Sequence, residues 1–210
     1  MRVRRKDLER ALEGVPPYPR PKLAYEQYVT PSWLAADILW VAETRYGDIC
    51  GMRVADLGAG TGRLALGAAL LGAERVLAVD VDFEALNAAK SHLTREFPHL
   101  EAVDLLCADI ASLGLRRGLR LDTVVQNPPF GVHRRGRDVL FLRRAVELAG
   151  VVYSVHKSST RDYLVSLLEG ELGCRVTILM TVDLPLSPTY EFHERRLHLV
   201  RIDVLRIEAS

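Results

Sequence analysis

Apolar positions along the 210-residue chain follow two spacings. Runs of strand length fall at 53–57, 75–80, 103–107, 121–126, 151–155, 175–182 and 198–207, as expected for strands whose faces are largely buried. Between them, apolar residues recur at helical spacing over 32–46, 63–71, 84–96, 138–148 and 160–172. Strands that alternate with helices predict an α/β fold with a parallel sheet covered on both faces. Only a polar stretch, 183–197, separates the last two strands, so these should form an antiparallel hairpin. A proline-rich stretch over 15–21 (Pro16, Pro17, Pro19, Pro21) predicts extended backbone. It should set a short N-terminal helix apart from the body, giving an arm, 1–24, and a main domain, 25–210.

In an open sheet of this kind, ligands sit beyond the carboxyl ends of the strands, where the strand order reverses. The chemistry-bearing residues cluster at those ends. The first strand runs into Asp56-Leu57-Gly58-Ala59-Gly60-Thr61-Gly62. Its glycines permit a tight turn and close approach of a ligand to backbone, and the following helix offers unpaired N–H groups. The spacing is G-x-G-x-G, not the G-x-G-x-x-G of dinucleotide enzymes, and by itself it also fits a plain strand–helix turn. The second strand ends Asp80-Val81-Asp82. A carboxylate there can accept from ribose hydroxyls, and we assign that role to Asp80 and helix capping to Asp82. The third strand ends Cys107-Ala108-Asp109-Ile110, and Asp109 fits either a ligand contact or a helix cap.

The fourth strand ends in Asn127-Pro128-Pro129-Phe130-Gly131, the strongest local signal in the chain. Two prolines stiffen the loop and remove N–H donors. The Asn127 amide oxygen and the Pro128 carbonyl are then free to accept both hydrogens of a planar amino group, and Phe130 is free to stack on it. The bland alternative is a rigid turn, since Asn-Pro often starts one.

Net charge is +1, so the chain as a whole does not advertise a nucleic-acid partner. His133, Arg134, Arg135 and Arg137 nevertheless follow the reaction loop directly and are candidates to hold RNA phosphates, or else a solvated loop. The three cysteines, Cys50, Cys107 and Cys174, lie far apart without a C-x-x-C pair. They read as buried free thiols, with no disulfide framework and no metal site. No membrane-length apolar run and no signal core occur, and a cytoplasmic protein is expected.

Crossover strands and helices followed by a terminal hairpin resemble the Rossmann-like class I methyltransferase fold. That fold is a seven-stranded, mostly parallel sheet with helices on both faces. The glycine loop with Asp56 resembles its S-adenosylmethionine motif, and Asn-Pro-Pro-Phe resembles the reaction loop of amino-group methyltransferases. Further segments narrow the resemblance: Glu26-Gln27-Tyr28-Val29-Thr30-Pro31, Val152-Tyr153-Ser154-Val155-His156-Lys157-Ser158-Ser159-Thr160-Arg161, Asp183-Leu184-Pro185 and Tyr190-Glu191-Phe192-His193. Together these are similar to the methyltransferase-like protein five family, over roughly 25–207.

The resemblance implies an enzyme that uses S-adenosylmethionine to form N6-methyladenosine in structured RNA, specifically small-subunit ribosomal RNA. Asn127, Pro128, Pro129 and Phe130 would form the catalytic loop. Gln27, Thr30, Asp56, Gly58, Gly60, Thr61, Gly62, Arg63, Asp80, Asp109 and Ile110 would hold the cofactor. His133, Arg134, Arg135, Arg137, His156, Lys157, Ser158, Phe192 and His193 would face the substrate. It also raises a small zinc-binding activator protein as a partner, pairing along a sheet edge. The competing readings are a methyltransferase acting on protein glutamine or guanine N2, and a non-catalytic RNA-binding scaffold. The His-Lys-Ser-Ser-Thr run argues against the first, and the intact loops argue against the second.

Overall fold

The structure, a computed structural model, describes residues 3–114, 121–131, 136–186 and 198–209. Seven strands form one sheet: β1 (Arg53–Leu57), β2 (Arg75–Asp80), β3 (Val103–Cys107), β4 (Leu121–Gln126), β5 (Ala149–Lys157), β6 (Arg175–Leu186) and β7 (His198–Glu208). Their order is β3-β2-β1-β4-β5-β7-β6. The first five are parallel, and β7 runs antiparallel to both β5 and β6. Helices α1 (Arg5–Glu13), α2 (Ser32–Val41), α3 (Arg63–Leu70), α4 (Phe83–Glu96), α5 (Arg137–Leu148) and α6 (Arg161–Val165) surround it. Fully buried Val54, Ala55 and Leu57 of β1 and Val124 and Val125 of β4 show why the central strands read as unbroken apolar runs.

Strand order reverses between β1 and β4. Leu57 lies opposite Gln126, so the glycine loop and the Asn127 loop leave the sheet side by side. This topology brings together two motifs far apart in sequence.

Three differences from the sequence reading have local causes. Strand β6 continues to Leu186, past the hairpin start expected at Asp183. Asp183 and Pro185 look like turn residues. However, Pro185 lies on an edge strand, where proline is tolerated, and Asp183 faces Arg201 of β7, which donates to it at 2.9 Å and 3.2 Å. The helix expected over 32–46 ends its regular part at Val41 and closes through a π-helical turn, Ala42–Tyr46, onto Gly47 at φ 69°. The proline-rich stretch does not set the first helix apart: Leu8 and Leu12 are fully buried in the same core as Leu34 and Leu39 of α2. Each such leucine contributes about 1.5–3 kcal/mol relative to exposure.

The thiols are free, but only Cys174 is buried, while Cys50 and Cys107 are exposed. Among the described residues no group of His, Cys, Asp and Glu could hold a metal ion, and no helix is long and apolar enough to cross a membrane.

Candidate active site

The glycine loop is built by its backbone. Gly58, Gly60 and Gly62 stand at φ 74°, 55° and 86°, in the left-handed region where other residues are strained. The Gly58 and Ala59 amides donate to the Val79 carbonyl of β2 at 2.8 Å and 2.9 Å, pinning the turn to the neighbouring strand. Space is equally tight: a Cβ at Gly60 would collide with the Tyr18 hydroxyl, and one at Gly58 would meet Phe141 at 3.1 Å.

Two carboxylates frame this loop. Asp80 accepts from the Gly60 amide at 2.7 Å through one oxygen and from the Asp82 amide at 2.8 Å through the other. Burial pushes its carboxyl group up. Asp82 caps α4 by accepting from the Glu84 amide at 3.1 Å, and also accepts from Lys22 and Gln27. Asp56 is 1% exposed. One of its oxygens accepts from the Ala65 amide at 2.9 Å, whereas Oδ1 is buried with no partner among the described residues. Burial raises its pKa to about 7.

Two adjoining cavities open beside the loop. The first is lined by Gly58, Asp80, Asp109, Ile110 and Phe141, among others. The second is lined by Thr30, Asp56, Ala59, Thr61 and Arg63, among others. Tyr18, Tyr28, Gly58 and Asn127 line both. At the first, Asp109 caps the 3-10 turn Ile110–Ser112, accepting from the Ala111 amide at 2.9 Å. Arg137 faces this cavity too, its guanidinium 3.6 Å from Asp109. It therefore shares the wall of this cavity with Asp80 and Asp109.

The second cavity is tied together by the N-terminal segment. Thr61 donates to the Pro16 carbonyl at 2.7 Å, and Arg63 donates to the carbonyls of Thr30 at 2.6 Å and Val15 at 3.1 Å. Burial lowers the pKa of Arg63. Gln27 spends its amide on Asp82 and on the Lys22 N–H. These side chains thus brace the walls of the site.

At the reaction loop, Asn127 Oδ1 accepts from the Tyr28 hydroxyl at 2.8 Å, and its amide nitrogen donates to Thr30 Oγ1 at 2.8 Å. Pro128 is buried and Pro129 lines the first cavity. The Phe130 ring packs against Tyr28, with centroids 5.5 Å apart, and the Lys157 ammonium stands 5.5 Å from the Phe130 centroid.

The structure brings only Lys157 of the 156–158 run to this ring. His156 is 2% exposed, its Nε2 lies 2.6 Å from the Ser154 hydroxyl, and burial pushes its pKa down to about 3. Ser158 donates to the buried carboxylate of Asp203 at 2.8 Å, alongside Arg161 and Thr181. That cluster locks the end of β5 onto β7. His133, Arg134, Arg135, Phe192 and His193 lie outside the described residues. Sequence reasoning missed Tyr18, Tyr28 and Phe141. Tyr28 alone carried a signal, sitting inside the Glu26–Pro31 motif.

Whether S-adenosylmethionine fits is answered by the donor set. A buried, unpartnered carboxylate oxygen on Asp56 suits an ammonium group. A carboxylate at the end of β2, fixed by two amides, suits a ribose diol.

A family model for the methyltransferase small domain matches residues 43–150. The chain is 36% identical over 204 residues to the Danio rerio protein named rRNA N(6)-adenosine-methyltransferase METTL5, covering 96% of this chain and 97% of that one. It is 35% identical over 211 residues to the Drosophila melanogaster protein of the same name, covering 99% and 97%. A solved Pyrococcus horikoshii structure, described as a candidate RNA methyltransferase, superposes with a TM-score of 0.87 at 36% identity, covering 100% of both chains.

Proposed function

Because this chain belongs to the methyltransferase-like protein five family, we propose that it forms N6-methyladenosine in ribosomal RNA, with S-adenosylmethionine as methyl donor. The observation that carries the reading is the meeting of the Asn127 loop with the glycine loop at the β1/β4 switch point, where Asn127 lines both cavities.

When bound, S-adenosylmethionine supplies an electrophilic methyl group on a sulfonium. The residues toward it are Asp80 for the ribose, Asp109 and Ile110 for the adenine end, and Asp56 with the Gly58–Gly62 loop for the methionine end. The chain must then present an adenine amine. That nitrogen is a poor nucleophile because its lone pair is delocalised into the ring. Asn127 Oδ1 and the Pro128 carbonyl accept its two hydrogens, which draws the lone pair out of conjugation and aims it. Both acceptors bind more strongly as the nitrogen becomes positive, so they act chiefly in the transition state. No strong base is needed beforehand, because the proton leaves after transfer. Phe130, with Lys157 over its ring, offers the stacking surface for a base taken out of its helix.

The finer assignments rest on the same reading. The substrate is small-subunit ribosomal RNA, with His133, Arg134 and Arg135 as candidate phosphate contacts, Phe192 and His193 as candidate substrate residues, and the reaction running in the cytoplasm. A small zinc-binding activator would suit the edge of the sheet at β3, which pairs with β2 and lies beside a groove of mixed lining that includes Phe97, Leu100 and Leu105 with Lys90 and Asp104. The test is product identity. Ribosomal RNA treated with the purified chain and methyl donor, then digested, is expected to yield N6-methyladenosine. Adding an activator of this kind should raise the yield, and no effect would remove that partner.

Asp56 makes cofactor binding depend on pH. A carboxyl group with a pKa of about 7 is mostly neutral below that value and attracts an ammonium only above it. An α-amino group, with an ordinary pKa of about 7.7–8.0, stays charged up to pH 7. Affinity for S-adenosylmethionine is therefore expected to tighten roughly tenfold between about pH 5.5 and pH 7, and Asp56→Asn should lose this slope. In the ligand-free fold, the raised value contributes stability at acid pH that is lost as pH rises through about 7. Titration calorimetry across this range checks the binding slope, and a flat wild-type profile would remove Asp56 from the cofactor site.

A further inference from the structure

An asparagine amide has two ends of opposite character, and the reaction loop works with only one of them facing the substrate. With the oxygen toward the adenine amine, Asn127 accepts. Turned over, its NH2 group would oppose another NH2 group, and neither could accept. Stiff prolines fix the backbone of the loop but not this side-chain torsion. The orientation must come from outside.

Tyr28 and Thr30 supply it. The Tyr28 hydroxyl donates to Asn127 Oδ1 at 2.8 Å, and Thr30 Oγ1 accepts from the amide nitrogen at 2.8 Å. A phenol oxygen, conjugated with its ring, is a good donor and a poor acceptor, so a flipped amide would lose the Tyr28 bond. Burial pushes the Tyr28 phenol up, which keeps its proton in place throughout the working range. Thr30 is 7% exposed and its carbonyl is held by Arg63 at 2.6 Å, so its end of the clamp is fixed in turn. An amide oxygen has two lone-pair sites. Tyr28 takes one and leaves the other for substrate.

We propose that Tyr28 is a positioning residue for methyl transfer. Its hydroxyl holds the Asn127 amide with the oxygen toward the substrate amine, and its ring, 5.5 Å from that of Phe130 and tilted by 37°, steadies the stacking surface. The assignment deepens the adenine N6 reading and rests on it. It predicts that one residue outside the Asn-Pro-Pro-Phe loop sets both the hydrogen-bonding and the stacking geometry.

Tyr28→Phe keeps the ring and removes only the donor. Its turnover is expected to fall about tenfold, as for loss of one ordinary hydrogen bond. KM for RNA and Kd for S-adenosylmethionine should stay within about twofold, and the Kd doubles as a check on the fold. The decisive comparison is the double variant: Tyr28→Phe added to Asn127→Ala should cost nothing further, because its target is gone. A further tenfold loss in the double variant, or a change confined to KM or Kd, would overturn the role. If Asn127→Ala alone is near normal, or the product is not N6-methyladenosine, the underlying reading fails instead, so the two failures are distinct.

Discussion

Turnover of Asn127→Ala is expected to fall by about two to three orders of magnitude, the scale seen when one preorganised polar group is lost from a transition-state site. Affinity for S-adenosylmethionine should change only a few-fold. The separation follows from geometry. Asn127 stands where both cavities meet, but its oxygen is directed by Tyr28 and its nitrogen by Thr30, and neither end is spent on the backbone of the glycine loop. Removing it deletes an interaction that strengthens as the amine nitrogen becomes positive, and leaves the Asp56 and Asp80 carboxylates in place. Single-turnover kinetics with cofactor binding measured alongside checks this. Near-normal turnover would exclude the amide as the acceptor.

Asp80→Ala should act in the opposite way, on binding first. Loss of hydrogen bonds to a charged acceptor costs about 1.5–3 kcal/mol, or roughly ten- to more than a hundredfold in Kd. In this fold the same carboxylate also anchors the amides of Gly60 and Asp82. Its removal loosens the glycine turn as well as the ribose contact, which puts the expected loss toward the upper end of that range. Calorimetry measures it, and unchanged affinity would remove Asp80 from the ribose site.

The two predictions draw on signals that were unequally legible. Asp56, Asp80, Asp109 and Asn127 stand at four successive strand ends, and the alternation of strands and helices is enough to align those ends along one edge of the sheet. What sequence periodicity does not encode is which distant segments close over that edge. The Tyr28–Asn127 bond spans 99 positions, the Thr61–Pro16 bond 45 and the Arg63–Val15 bond 48. Each is a tertiary contact with no periodic signature. The proline-rich stretch read as a spacer because proline marks extended backbone, yet extended backbone also presents free carbonyls, and those of Val15 and Pro16 accept from Arg63 and Thr61.

Similarly, the family resemblance assigns His156 and Ser158 to the substrate side. Their polarity is consumed inside the protein, by Ser154 and Asp203, and this leaves Lys157 as the member of the run that meets Phe130. Strand β6 ran past its expected end because a cross-strand pair, Asp183 with Arg201, and an edge position for Pro185 satisfied residues that usually signal a turn.

The central claim is the transfer of a methyl group to the exocyclic nitrogen of adenine. It is tested most directly by incubating ribosomal RNA with the wild-type chain and S-adenosylmethionine carrying a labelled methyl group, digesting the RNA to nucleosides and separating them. The account predicts that the label appears in N6-methyladenosine and is almost absent with Asn127→Ala. Label found solely in methylguanosine, or solely in glutamine of a co-purifying protein, would contradict it.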